Sequence, residues 1–244
     1  MTSKQVMLTL VAVLLALAGC TTDANPTPRS PYAERQLWAV APLANESGSL
    51  HADGVTMADH LARQLEAAPG VQALPVSRVL AAMESLDMPE LTSPDDVQQL
   101  CRTLGADALV VGTITAYDPY DPPRLGLTIE LHGGDNHAAA TRLDPRELTR
   151  ASRGSQPGAA QPAERGPLST VSGSFDATDP AVRAELEDYA AARTEAGVED
   201  PARLYLLSID LYSEFVSHLV SSRLLQAESL RLSPTSELAD DPAI

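Results

Sequence analysis

Apolar positions in this chain fall into two periods. Short runs are continuous or alternate by two, and longer runs repeat by three and four. The strongest short run is Gly105–Tyr117, rich in β-branched residues and bounded by turn formers. Leu109, Val110, Val111 and Ile114 make it nearly continuous, which predicts a central strand buried on both faces, with helices above and below. Gly112 is expected to let a helix approach closely, and Gly105 to end the helix before it.

The other elements follow from the same pattern. Leu37–Leu43 reads as a short strand closed by Pro42, and Asn45–Gly48 as a loop. From Asp53 to Ala68 the set Met57, Leu61, Leu65 and Ala68 recurs at helical spacing until Pro69-Gly70 stops it. Val71–Leu74 is a second strand. Pro75 then opens a helix with Val79, Leu80, Met83 and Leu86 inward. Ser93 is the expected N-cap of a third helix, with Pro94 in its first turn and Val97, Leu100, Cys101 and Leu104 inward. Leu125–Leu131 alternates, which predicts a half-exposed strand antiparallel to the central one. Leu168–Asp176 is expected at or near a sheet edge. Asp179-Pro180 caps a helix that carries Val182, Leu186 and Tyr189 and ends at Gly197. Asp200-Pro201 caps a last long helix running to about Gln226, with Leu204, Leu207, Leu211, Phe215 and Leu219 on its apolar face.

The resulting fold class is α/β: a single mixed β-sheet of about four to five strands with helices packed on its faces. It opens β-α-β-α-α-β-β and ends in a long C-terminal helix. Composition adds that the core must be aliphatic, because aromatic residues are 4 % of the chain. The formal charge of −16, with Lys4 as the one lysine, argues against nucleic acid as a partner.

Met1–Cys20 is the most specific motif. Lys4 precedes an apolar run from Val6 to Ala16, too short to span a bilayer as a mature helix, and Leu17-Ala18-Gly19-Cys20 follows. The ending resembles the lipobox of bacterial lipoprotein precursors. That resemblance implies cleavage before Cys20 and diacylglycerol on its thiol; an ordinary secretory signal with an incidental Cys is the alternative. Two or three acyl chains would anchor stably where one is marginal. Thr21 after the Cys makes the outer membrane, facing the periplasm, the expected address by family analogy. The chain then divides into a signal peptide (1–19), the lipidated Cys and a tether (20–36), and an α/β core (37–131). A flexible insertion (132–167), a strand and two helices completing the domain (168–227) and a disordered tail (228–244) follow.

The order of elements, with Pro42–Gly48 after the first strand, Val76-Ser77-Arg78 after the second and Leu104–Gly112 at the third, carries a second resemblance. Residues 37–131 resemble the domain shared by the curli-assembly lipoprotein CsgG, the penicillin-binding-protein activator lipoproteins (LpoB-like) and the amino-terminal domain of TolB. The resemblance implies a non-enzymatic protein that docks onto envelope proteins or assembles into oligomers, with no catalytic residue and no cofactor. The expected role is an adaptor or regulator in secretion, surface assembly or cell-wall synthesis. An oligomeric component of the CsgG type and an envelope hydrolase are the alternatives. The sequence around Ser172 lacks the Gly-x-Ser-x-Gly pattern of a nucleophile elbow, and 136–167 lacks the long alternating strands of a pore former.

Two segments invite chemistry. Tyr117, Asp118, Tyr120, Asp121 and Arg124 surround a proline-rich loop, and Tyr and Arg are common binding anchors, so they form a candidate partner surface. A stiff hairpin connection is the competing reading. His132–His137 holds two His and an Asp within six residues, but structural zinc wants four ligands. A polar glycine turn accounts for it without metal. Cys101 reads as a buried small hydrophobe.

Overall fold

The computed structural model describes residues 30–134, 166–194 and 197–233. The elements are β1 (Gln36–Val40), β2 (Ala44–Asn45), α1 (Gly54–Glu66), β3 (Val71–Ala73), α2 (Val76–Ser85), α3 (Pro94–Leu104), β4 (Ala108–Asp118), β5 (Arg124–Gly133), β6 (Ser169–Asp176), α4 (Pro180–Ala191), α5 (Ala202–Leu207) and α6 (Ile209–Leu232). They build one mixed sheet in the order β3-β1-β4-β5-β6, with β2 a short addition beside β4. β1, β3 and β4 are parallel; β5 and β6 return antiparallel. The Val-Val-Gly segment is thus the central strand, and β6 is an edge.

Alternation along β1 and β4 divides the core in two. Trp38, Val40, Val110 and Ile114 point to a large cluster with α1, α4, α5 and α6. Ala39, Ala41 and Leu109 point the other way, to a smaller cluster under α2 and α3. β5 gives Leu125, Leu127, Ile129 and Leu131 to the large cluster alone, each such burial contributing roughly 1.5–3 kcal/mol. The sheet is therefore covered twice over β3-β1-β4. Over β5 and β6 its second face presents Thr128, Glu130, Ser172 and Ser174 to solvent.

Several expectations are corrected. Gly112 makes room for the neighbouring strand and Leu43, not for a helix: an added Cβ would meet the Ile129 side chain and the Thr128 carbonyl. Leu80 is exposed. The helix after Asp179 ends at Ala191, short of Gly197. The last long helix is two: Ser208, extended, breaks it and caps α6 by accepting from the Leu211 N–H at 3.4 Å. That break turns Leu204 and Leu207 outward, 57 % and 60 % exposed. The buried face of α6 is also more polar than its leucines suggest, holding Ser213, Ser217, His218, Ser221 and Glu228.

Parallel β1, β3 and β4 give the sheet two distinct poles. At the pole of their amino-terminal ends the Ser30 N–H donates to the Pro69 carbonyl at 2.9 Å and the Gln36 N–H to Gly70 at 3.0 Å. Residues from Ser30 onward, expected in a tether, thus pack on the domain. Tyr32 donates to the carboxylate of Glu228, which is fully buried near the end of α6. Ser169 Oγ donates to the same carboxylate at 2.7 Å and Arg231 Nε at 2.8 Å. Burial pushes the Glu228 carboxyl up, but the hydrogen bonds from Arg231, Tyr32 and Ser169 outweigh it and hold it below the usual carboxylate range. Gly134 and Leu168, on either side of the segment 135–165, bond to Asp107 and Leu131 at this same pole.

Candidate docking surface

The opposite pole is where β4 and β5 meet. Asp118 pairs with Arg124 in register, and its Oδ1 accepts from the Tyr120 N–H at 3.2 Å, a side-chain-closed turn. Tyr120 stands 76 % exposed at the tip. The Asp121 carboxylate lies 3.4 Å from Arg203 Nη2 on α5. Both groups are about half exposed, so the pair contributes only about 0–1 kcal/mol; its consequence is to set α5 beside the hairpin. Arg203, Leu204 and Leu207 share the outer face of α5, which adds two exposed leucines to the exposed tyrosine of the hairpin at this pole. Arg124 is exposed and faces Asp176 across β5 and β6. Asp176 is held below the usual range, first by hydrogen bonds from Thr178 and then by the Arg124 charge.

The five residues expected to form one surface are therefore divided. Tyr120 and Arg124 point out, Asp118 and Asp121 are committed to the turn and to Arg203, and Tyr117 is half-buried against the large core. Tyr117 opens instead on a cavity of about 200 Å³ between α1, the end of β4 and the start of α6, lined also by His51, Asp53, Thr56, Met57, His60, Ile209, Asp210 and Ser213. This is the carboxyl end of parallel strands, where open α/β sheets place their crevices. Sequence reading missed the cavity because its parts are far apart, His60 and Asp210 being separated by 150 positions. The available signal was a histidine inside the apolar stripe of α1, between Met57 and Leu61.

A Ser, a His and an Asp around one cavity suggest a hydrolase, but the hydrogen bonds do not. Arg63 Nη2 lies 2.7 Å from His60 Nδ1, and a guanidinium can only donate, so Nδ1 accepts. The proton of the neutral ring then sits on Nε2 and is donated to Asp210 Oδ1 at 2.9 Å. Both nitrogens are committed, and this imidazole has no lone pair left to take a proton from Ser213. Between α1 and α2 lies a second, more apolar groove of about 490 Å³ beside Pro42, Val55, Leu80, Met83 and Met88.

Among the described residues no group of three His, Cys, Asp or Glu side chains is placed to hold a metal ion. His132 Nε2 lies 3.0 Å from Glu130, and Cys101 is buried. Among the described residues no helix is long and apolar enough to cross a membrane. Met1–Cys20, His137 and the tail from 234 lie outside the described residues.

No family model matches this chain, and no curated protein matches it. Among solved structures it is similar to the LpoB C-terminal domain from Salmonella enterica (10 % identity, TM-score 0.39, 59 % of this chain and 85 % of that one). It is also similar to the lipoprotein GNA1162 from Neisseria meningitidis (16 %, 0.38, 65 % and 96 %). A third is the PelC dodecamer from Paraburkholderia phytofirmans (13 %, 0.33, 82 % and 93 %). These likenesses concern fold alone. They include the kind of lipoprotein domain that residues 37–131 resemble, and at such identities and TM-scores they say nothing of this chain's activity, partner or anchoring.

Proposed function

We propose that this chain is a non-enzymatic lipoprotein of the bacterial envelope, held at the outer membrane through lipid on Cys20, facing the periplasm. It acts there as an adaptor or regulator of secretion, surface assembly or wall synthesis by contact with another envelope protein. The observation that carries the reading is the layout of the two poles. The chain enters the domain at Ser30 beside Glu228, and the exposed Tyr120, Leu204 and Leu207 lie at the other end of the sheet. A leash attached at the first pole leaves the second free to reach a partner, and aromatic and arginine side chains such as Tyr120 and Arg124 are the usual anchors of such contacts.

Membrane fractionation and partner capture test the two halves separately. Cys20→Ser should move the protein from the membrane to the soluble fraction; continued membrane partition would remove the anchor. Capture after crosslinking in cells should weaken in Tyr120→Ala/Arg124→Ala with the melting temperature unchanged, and unchanged capture would remove the surface. Self-association is a second reading, favoured by β6, whose outer edge has no strand beside it among the described residues and offers unpaired backbone groups. A monomer in light scattering of the domain would dismiss it.

A further inference from the structure

The cavity beside Tyr117 has a chemistry that the docking reading does not use. Its wall carries two carboxylates, Asp210 and Asp53, the latter accepting from the Val55 N–H and Thr56 Oγ1 as the cap of α1, and among the described residues no Lys or Arg lines it. Arg63 lies beyond the His60 ring. The amino-terminal ends of α1 and α6 each bring roughly half a positive charge, which offsets about half of the two carboxylates and leaves the cavity negative. Tyr117 registers that sign: burial raises its hydroxyl above the ordinary range, and the charges of Asp210 and Asp53 raise it further. The floor supplies an independent sign of a ligand. Ser213 is 4 % exposed and lines the cavity, and among the described residues its hydroxyl has no hydrogen-bond partner. That hydroxyl is therefore available to a group bound in the cavity. The Asp210 side chain, 69 % exposed at the cavity mouth, gives one oxygen to His60, and among the described residues no hydrogen bond engages the other. Met57 and Ile209 make the remaining wall apolar.

We propose that this cavity binds the head of a small organic cation, a guanidinium or primary ammonium on a short apolar stem, with Asp210 and Ser213 accepting its N–H groups and Tyr117 and Met57 covering the stem. A bare metal ion does not suit the donors, which include no cluster of three ligating side chains among the described residues. The volume, about 200 Å³, admits the end of an arginine or lysine side chain or a free amine, and the chemistry is the same for both sources.

The test is titration of the full chain in detergent micelles with N-acetyl-arginine methylamide, its neutral citrulline analogue and free putrescine, followed by calorimetry and by the NMR signals of His60 and Tyr117. Affinity for so small a ligand is expected on the order of millimolar, with saturable shifts at both residues. Asp210→Asn and Ser213→Ala should each weaken binding about tenfold while the melting temperature holds within a few degrees. Putrescine binding as well as the arginine amide indicates a free amine as the natural source; preference for the amide indicates a basic side chain. Equal binding of citrulline, no saturable shift with either cation, or full affinity in Asp210→Asn would overturn the proposal.

Discussion

The two poles of the sheet present their side chains in opposite ways. At the pole where the chain enters, a fully buried carboxylate, Glu228, receives Tyr32, Ser169 and both donors of the Arg231 fork, joining three stretches of chain at one point. At the far pole large side chains stand in solvent instead: Tyr120 at the hairpin tip and Leu204 and Leu207 on α5 are exposed. A buried hydrogen-bonded network rigidifies, whereas exposed apolar side chains mark surfaces that meet something else. The contrast is that of an attachment end and a working end.

The strongest way to break it is to remove the carboxylate. Glu228→Ala leaves Arg231 facing a buried site with no counter-charge and strips Tyr32 and Ser169 of their acceptor, so unfolding by urea should show a loss of about 3 kcal/mol. Amide exchange at Ser30 to Tyr32 should accelerate with it. A loss under about 1 kcal/mol would mean the pole is not fastened there.

Acid separates two buried groups along α6. Burial, aided by the charge of Arg193, pushes the His218 imidazole down to about 4 from an ordinary 6.5. The folded chain then binds fewer protons than the unfolded one between those values, so stability falls as pH drops from about 6.5 to about 4. Glu228, whose folded pKa is depressed, adds a further loss as pH falls through the range below its ordinary 4.5. His218→Gln should flatten the first part of the profile and leave the second.

A smaller effect tests the joint between α5 and α6. Ser208→Ala removes the cap from Leu211 at 3.4 Å and should cost about 0.5–1 kcal/mol in thermal unfolding. Should it cost nothing, the break that exposes Leu204 and Leu207 has another cause. The smallest expected change in stability is that of Leu204→Ala/Leu207→Ala at the working end, within about 0.5 kcal/mol, accompanied by loss of partner capture.

Most of the fold was legible because its periods are clean. The β-branched run at 109–114, Ser93-Pro94 and Asp179-Pro180 as helix starts, and the alternation in β5 each obey a local rule, and all were found. What was not legible depended on distance. Nothing local announces that Ser208 interrupts a run of leucines, since the same leucines at helical spacing suit one helix or two. The place of Glu228 follows from a tyrosine 196 positions earlier, and that of Asp210 from His60 on another helix. For the candidate surface, the prolines revealed a stiff turn, but only packing divides Tyr117, turned inward to the cavity, from Tyr120, turned outward.

Site-specific photocrosslinking in living cells reaches the central claim most directly. A photoreactive residue would replace Tyr120 or Leu204 at one pole, and Arg35 or Ser229 at the other, in otherwise unaltered full-length protein. The two-pole account predicts one discrete crosslinked protein from positions 120 and 204 and none in common from 35 and 229. The same adduct from all four positions, or from the 35 and 229 pair alone, would contradict it.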